Sequence, residues 1–251
     1  MFKFIFKFLC FSLLLFSTTT IAKKKCLSMF VVVNDSSGYL NEDGQMAGYH
    51  VDFMNELEIY SGICINKKLI PYSRALKGLE YGEYDGGIVA KTTYLNQKVE
   101  YVTKLITSKT VIIPKKGITL NNYNDLVDIT IGRFRGVDLN GILATKFQFS
   151  LVDLYSYQQG LRMLQKGRID AIAGNNLGLS IIGQLGMLED VNLPGSLVIG
   201  NREVWFVVSR KSQHLDQIPR LSLGVTSMIN DGVFDKILGR YFGENWKLIT
   251  Q

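Results

Sequence analysis

One stretch occurs twice in this chain, and a doubled unit limits the possible folds more than any other feature. Residues 72–85 read YSRALKGLEYGEYD and residues 157–170 read YQQGLRMLQKGRID. Six features recur at a constant offset of 85 residues: Tyr72/Tyr157, Leu76/Leu161, Lys77/Arg162, Leu79/Leu164, Gly82/Gly167 and Asp85/Asp170. Leu76 and Leu79 are three apart, and Tyr72 lies four before Leu76, so one helix face carries all three. Gly82 stands where glycine accepts the left-handed conformation that ends a helix. The apolar runs GGIVA and AIAGN that follow predict buried strands. Helix then buried strand is half of a parallel α/β unit, so two copies predict two α/β lobes of similar design. Any two α/β units share some of this pattern. The glycine and aspartate that recur in step with the leucines weigh against coincidence.

Residues 1–22 have the layout of a secretory signal: Lys3 and Lys7, a short apolar core from Phe8 to Phe16, and a small-residue cleavage site at Thr20-Ile21-Ala22. The apolar core is too short to span a bilayer comfortably, which needs about 20 residues. Its competitor is a retained N-terminal anchor. Cleavage would leave 229 of the 251 residues and, with two lysines lost, lower the formal charge from +6 to +4. The remaining cations are scattered apart from Lys23-Lys24-Lys25, which gives no nucleic-acid footprint. Low proline, moderate charge and no low-complexity run predict a folded chain.

A secreted chain meets an oxidising compartment, and two cysteines follow the signal. Cys26 opens the expected first strand, CLSMFVVV, and Cys64 stands at the start of the next, ICINKKLI. Equivalent ends of neighbouring parallel strands would bring them within bridging range, so a Cys26–Cys64 disulfide is expected. The alternative is two buried free thiols.

Between those strands, Asp43-Gly44 signals a tight turn, and a helix carrying Val51, Met54 and Leu57 ends at Gly62. Further on, the pattern predicts strands at 108–114, 129–132, 151–155 and 203–209. It also predicts a capped helical turn at 121–126 and helices at 139–147, through Ile181 and Ile182, at 215–229 and at 232–242. Open parallel sheets bind ligands beyond the carboxyl ends of their strands. Those ends fall at 34–39, 71–74, 90–92, 133–137 and 175–176. The candidate ligand-binding residues in them are Tyr39, Tyr72, Arg74, Lys91, Thr92, Arg133, Arg135, Asn175 and Asn176. For each cation the competing reading is a solvated surface charge. For Tyr72 it is a core position on its helix. Arg74 and Arg135 are expected to meet the ligand from opposite lobes.

Five stretches in order carry a resemblance: GYHVDFMNEL, YSRALKGLEYGEYDGGIV, LRMLQKGRIDAIAGN, VWFVVSRKS and DGVFDKILGRYFG. The chain resembles the bacterial extracellular solute-binding proteins of family 3, the polar amino-acid type. The resemblance implies an α/β, two-lobed periplasmic binding protein fold of type II, each lobe a mostly parallel sheet flanked by helices, with two crossover strands as hinge. It implies a first lobe at 23–107 and 202–251, and a second at 108–201. It also implies a monomer in the periplasm that traps a small polar or anionic solute, amino-acid-like or an organic acid, by hinge closure. The expected partner is an ABC-type importer. The alternative is a ligand-sensing subunit of a signalling system. Amino-acid binders of the family use an arginine that would fall near Leu95 or Asn96, a threonine at the place of Val137 and an acid at that of Asn175. This chain has none of the three.

Cyclohexadienyl-dehydratase-like enzymes resemble the same family. An enzyme would need an acid or base in the cleft, and both histidines, His50 and His214, fall outside the segments expected to form it. No Ser/His/Asp arrangement, metal-ligand cluster or phosphate-cradling loop appears in the sequence. No catalysis, cofactor or metal is therefore expected.

Overall fold

The computed structural model describes residues 26–135, 137, 139, 149–244 and 246–247. The signal segment and the helix expected at 139–147 fall outside this set, apart from Leu139. The elements in order are β1 (Leu27–Val32), β2 (Tyr39–Leu40), β3 (Met46–Ala47), α1 (Tyr49–Ser61), β4 (Ile65–Ile70), α2 (Tyr72–Tyr81) and β5 (Gly86–Ala90). Next come β6 (Val99–Pro114), β7 (Thr130–Phe134), β8 (Ser150–Leu154), α3 (Tyr157–Gln165), β9 (Ala171–Asn175) and α4 (Asn176–Gln184). The chain closes with β10 (Leu197–Ser209), α5 (Ile218–Asn230) and α6 (Val233–Phe242).

Eight strands form one curled sheet in the order β4-β1-β5-β10-β6-β9-β7-β8. The fold is α/β and two-lobed, as expected. β1, β4 and β5 are parallel in one lobe, and β7, β8 and β9 are parallel in the other. β6 and β10 pair antiparallel along nearly their whole length and join the lobes. β10 meets β5 from Val204 onward, and β6 meets β9 from Thr110 onward. Between these points, residues 107–109 and 201–203 are in strand register only with each other, and the Glu203 carbonyl also accepts the Lys91 N–H at 2.8 Å. Both crossover strands are longer than the sequence pattern indicates. The polar stretch from Val99 has no apolar run to announce a strand, yet its backbone groups are satisfied by β10.

The repeat holds in three dimensions. α2 ends at Gly82 with φ of 76°, and the turn after α3 places Gly167 at φ of 64°. Both are conformations that favour glycine. The recurring aspartates do the same work in each lobe. Asp85 accepts the backbone N–H of Ser28 at 2.7 Å and returns its own N–H to the Ser28 carbonyl at 2.7 Å. Asp170 accepts from Thr130 N–H at 3.1 Å and donates to the Thr130 carbonyl at 2.8 Å. Each thereby ties a helix–strand junction to the start of the neighbouring strand.

Alternation along β1 sorts its side chains to two faces. Met29 and Val31 pack with Phe53 and Leu57 of α1, whereas Phe30 and Val32 pack with Ala75 and Leu79 of α2. So α1 and α2 cover opposite faces of the first lobe. The α1-side core continues into the second lobe through Leu161, Leu177 and Ile181. A Cys26–Cys64 disulfide joins the starts of β1 and β4, with Cα atoms 4.6 Å apart. Among the described residues no helix is long and apolar enough to cross a membrane.

Candidate functional site

A cavity of about 450 Å³ lies between the lobes at the carboxyl ends of their strands. Four helices begin at its wall: α1 at Tyr49, α2 at Tyr72, α3 at Tyr157 and α4 just after Asn175. Helix N-termini carry partial positive charge and suit anions. The α1 start is fixed by backbone and side chain together. Tyr49 and His50 donate N–H to the Ser36 and Ser37 carbonyls at 2.9 and 3.1 Å, and Gly48 N–H donates to the Tyr241 hydroxyl at 3.2 Å. That hydroxyl in turn donates to Asp52 at 3.0 Å. Burial, then the adjacent Asp52 charge, push its pKa up to about 12.

The lining is mostly apolar and aromatic. Val32, Val89 and Val204 come from the first lobe, Phe134, Leu154 and Leu177 from the second. Its charged members among the described residues are Arg74, Arg135 and Arg202; no aspartate or glutamate lines it. Arg74 and Arg135 are exposed at the mouth, whereas Arg202 is half-buried in the two-stranded stretch of β10. Tyr72 is raised in pKa by burial, and the nearby Arg202 charge opposes that rise. Arg135 also lies 3.8 Å from Asp153.

Four of the nine sequence candidates, Tyr72, Arg74, Arg135 and Asn175, line the cavity. Asn175 also caps α4, its side-chain oxygen accepting from Gly178 N–H at 2.9 Å. The other five lie outside the lining. Tyr39 is exposed on the β2–β3 hairpin. Lys91 lies 3.7 Å from Glu203, with its ammonium 5.4 and 5.5 Å from the Tyr101 and Trp205 ring centres. Thr92 follows β5 with its hydroxyl buried. Arg133 donates to the Val137 carbonyl at 3.1 Å and to Asp153 at 3.4 Å. Asn176 is buried and accepts the Lys109 N–H at 3.2 Å, which pins α4 to the crossover strand.

The places of the missing amino-acid-binding groups are filled differently. Leu95 is fully buried against the α2-side core. Asn96 accepts from the Tyr101 hydroxyl at 3.3 Å. Val137 lines the cavity as an apolar side chain.

Sequence reasoning missed Tyr49, His50, Tyr157 and Arg202, and it placed His50 outside the cleft. His50 lines the cavity. The hairpin between β1 and α1 folds back, so Ser36 and Ser37 hold the α1 start beside the end of β1. Its 4 % exposure removes the imidazole from water, and burial lowers its pKa to about 3. Neither ring nitrogen has a hydrogen-bond partner among the described residues. His214 lies outside the lining, at the start of the Leu215–Gln217 turn. Among the described residues no group of three or more His, Cys, Asp or Glu could hold a metal ion.

The lobes touch directly. Asp35 of the first lobe accepts the N–H of Tyr157, the first residue of α3, at 2.6 Å. Gln184 of α4 donates to the Tyr241 carbonyl of α6 at 2.8 Å.

The family model for bacterial extracellular solute-binding proteins, family 3, matches residues 31–244. A comparison with curated proteins returns no match. Among solved structures, the arginine-, lysine-, histidine-binding protein ArtJ from Geobacillus stearothermophilus superposes with a TM-score of 0.72 at 18 % identity, over 90 % of this chain and 100 % of that one. The VFT2 domain of Bordetella pertussis BvgS gives 0.71 at 15 %, over 86 % and 93 %. The ancestral amino-acid-binding protein AncCDT-1, a precursor of cyclohexadienyl dehydratase, gives 0.71 at 16 %, over 86 % and 95 %. At these identities the likeness shows the fold.

Proposed function

The chain belongs to family 3 of the bacterial extracellular solute-binding proteins, and from that membership we propose that it traps a small organic anion without turning it over. The observation that carries this reading is the charge of the cavity wall: three arginines and no carboxylate among the described residues. A free amino acid brings an ammonium as well as a carboxylate. A desolvated ammonium without an anionic partner is costly. The helix N-termini at the wall add to the preference for negative charge, except that of α3, where Asp35 already accepts the Tyr157 N–H. ArtJ is named for arginine, lysine and histidine. The absence of a carboxylate among the described lining residues argues against such ligands here.

The stretch at 107–109 and 201–203 is the proposed hinge, with lobe boundaries at 107/108 and 201/202. Ligand bridging the lobes stabilises the closed form, and a ligand shifts the equilibrium only by its preference for that form. Arg202 is the proposed anchor inside the hinge, and Arg74 and Arg135 close over the ligand from opposite lobes. The protein is proposed to act as a periplasmic monomer, released from its signal near Lys23, that hands its ligand to an ABC-type importer. Presentation of the same closed form to a sensor receptor is the alternative, and the BvgS domain shares the fold. Catalysis is not part of the reading. The wall offers no carboxyl group for acid–base work among the described residues, and its one histidine is held neutral by burial.

Native mass spectrometry of protein purified without denaturation tests this. A retained mass that fragments as a carboxylic acid or other anion is expected. A retained ordinary amino acid would overturn the ligand assignment.

A further inference from the structure

The crossover strands contribute a wall of the cavity, and they do so with every second residue. Ser108 and Thr110 of β6 line it and Lys109 between them does not; Arg202 and Val204 of β10 line it and Glu203 between them does not. Strand side chains alternate between two faces, so these four share the face turned to the cavity. Arg202 stands directly opposite Ser108 in the ladder, and Thr110 stands opposite Gly200, which has no side chain. Directly opposed side chains start about 5 Å apart on one face. One guanidinium and two hydroxyls therefore meet there. Ser108 and Thr110 are 4 % and 5 % exposed. Among the described residues neither hydroxyl has a hydrogen-bond partner, and neither is sealed off as the Thr92 hydroxyl is. Asn34 and Ser37 also line the cavity, but they are engaged in their own loop. The Asn34 side-chain oxygen accepts from Ser36 and Ser37 N–H at 3.0 and 2.6 Å, and its amide donates to the Ser37 hydroxyl at 3.0 Å. A buried hydroxyl left without a partner is costly, which makes a ligand atom the missing partner on the crossover strands.

We propose that Ser108, Thr110 and Arg202 form the subsite for the ligand's carboxylate, the two hydroxyls donating to the oxygens that the guanidinium also binds. The inference rests on the anion reading above and deepens it: the charged head is a carboxylate, and two hydroxyls on the crossover strands select it. A carboxylate has two oxygens and about four lone-pair positions, which a guanidinium fork and two hydroxyls fill. A phosphate or sulfate brings further oxygens, which these donors leave unpaired. An ammonium here would meet the Arg202 charge with no anion beside it among the described lining residues. Tyr72 lies near enough for the Arg202 charge to oppose the rise that burial gives its pKa. Val204, next on the same face of β10, offers apolar surface to the carbon chain behind the head.

The test is calorimetric titration with acetate, butyrate, benzoate and phenylacetate, each beside its carboxamide. Titrations use the wild type, Ser108→Ala, Thr110→Val, Thr110→Ser and Arg202→Ala, with circular dichroism as the folding check. At least one acid should bind the wild type, and more tightly than its carboxamide. Ser108→Ala and Thr110→Val should each weaken that acid about 10- to 100-fold, the loss of a hydrogen bond to a charged group. Thr110→Ser, which keeps the hydroxyl, should stay close to the wild type. Acids that bind through Arg202 with full affinity in both Ser108→Ala and Thr110→Val overturn the inference and leave the anion reading standing. A loss in Thr110→Val that Thr110→Ser shares, with Ser108→Ala unchanged, assigns the effect to packing and overturns the inference as well. Carboxamides that bind as tightly as the acids overturn the anion reading; if Ser108→Ala and Thr110→Val weaken both, the hydroxyls keep their place as ligand contacts. Failure of every member of the panel to bind at millimolar concentration overturns both.

Discussion

Asp35 and Tyr157 face each other across the cleft, and the Asp35 carboxylate accepts the Tyr157 backbone N–H at 2.6 Å. The acid stands at the N-terminus of α3, where a negative charge is favoured, and it belongs to the opposite lobe. The contact therefore ties the two lobes together, and on the proposed hinge closure it forms only when they close. Asp35→Ala should weaken the closed form by about 1.5–3 kcal/mol, the range for a charge-assisted hydrogen bond. Small-angle scattering checks this: the variant should have a larger radius of gyration than the wild type under the same conditions.

The Cys26–Cys64 bridge closes a loop of 38 residues between the starts of two paired strands. By loop-closure entropy it should contribute about 4 kcal/mol. Urea unfolding of the oxidised protein against Cys26→Ser/Cys64→Ser measures it. Intact mass after alkylation without reductant should show no free thiol at either position.

His50 links stability to pH. Its folded pKa, about 3, lies below the ordinary 6.5 because of burial, so the unfolded chain binds the extra proton. Stability is complete above the ordinary histidine pKa and falls as pH drops through the window between the two values. Between pH 7.5 and pH 5 the loss should be about 2 kcal/mol. The unfolding free energy from urea titration should fall between the two pH values by about that much more in the wild type than in His50→Gln. An equal fall in both would remove His50 as the cause.

Gly178 lies in α4, where alanine would ordinarily gain about 1 kcal/mol. Here a Cβ would overlap the Tyr157 hydroxyl, whose ring packs over Gly174 and Gly178. Gly178→Ala should instead destabilise by about 1–3 kcal/mol, the usual cost of overpacking. Because Tyr157 lines the cavity, ligand binding should weaken as well. Thermal melts with and without ligand check both effects.

The repeat made the lobes legible, because Leu76, Gly82 and Asp85 have fixed local duties that Leu161, Gly167 and Asp170 repeat. The disulfide was legible for a similar reason: both cysteines stand at strand starts. The crossover strands were only half legible, since β6 from Val99 is polar and its strand character comes from a partner about a hundred residues away. His50 escaped because its place at the cavity depends on a hairpin folding back. Arg202 escaped because it falls just before the strand expected at 203–209, whereas β10 already begins at Leu197. Lys91 and Arg133 stood in the expected segments, yet Lys91 lies beside Glu203, and Arg133 bonds Asp153 and the Val137 carbonyl. Segment position alone does not report which way a long side chain turns.

A cavity lined by three arginines, with no carboxylate among its described residues, should select an organic anion. Thermal-shift screening tests it most directly, with the twenty standard amino acids beside organic acids and small neutral sugars, on the wild type and on Arg202→Ala. Ligand that binds only the folded state raises the melting temperature as its concentration rises over Kd. The account predicts a concentration-dependent rise with at least one organic acid, lost in Arg202→Ala, and none with ordinary amino acids. A large rise with one ordinary amino acid and none with any organic acid would contradict it.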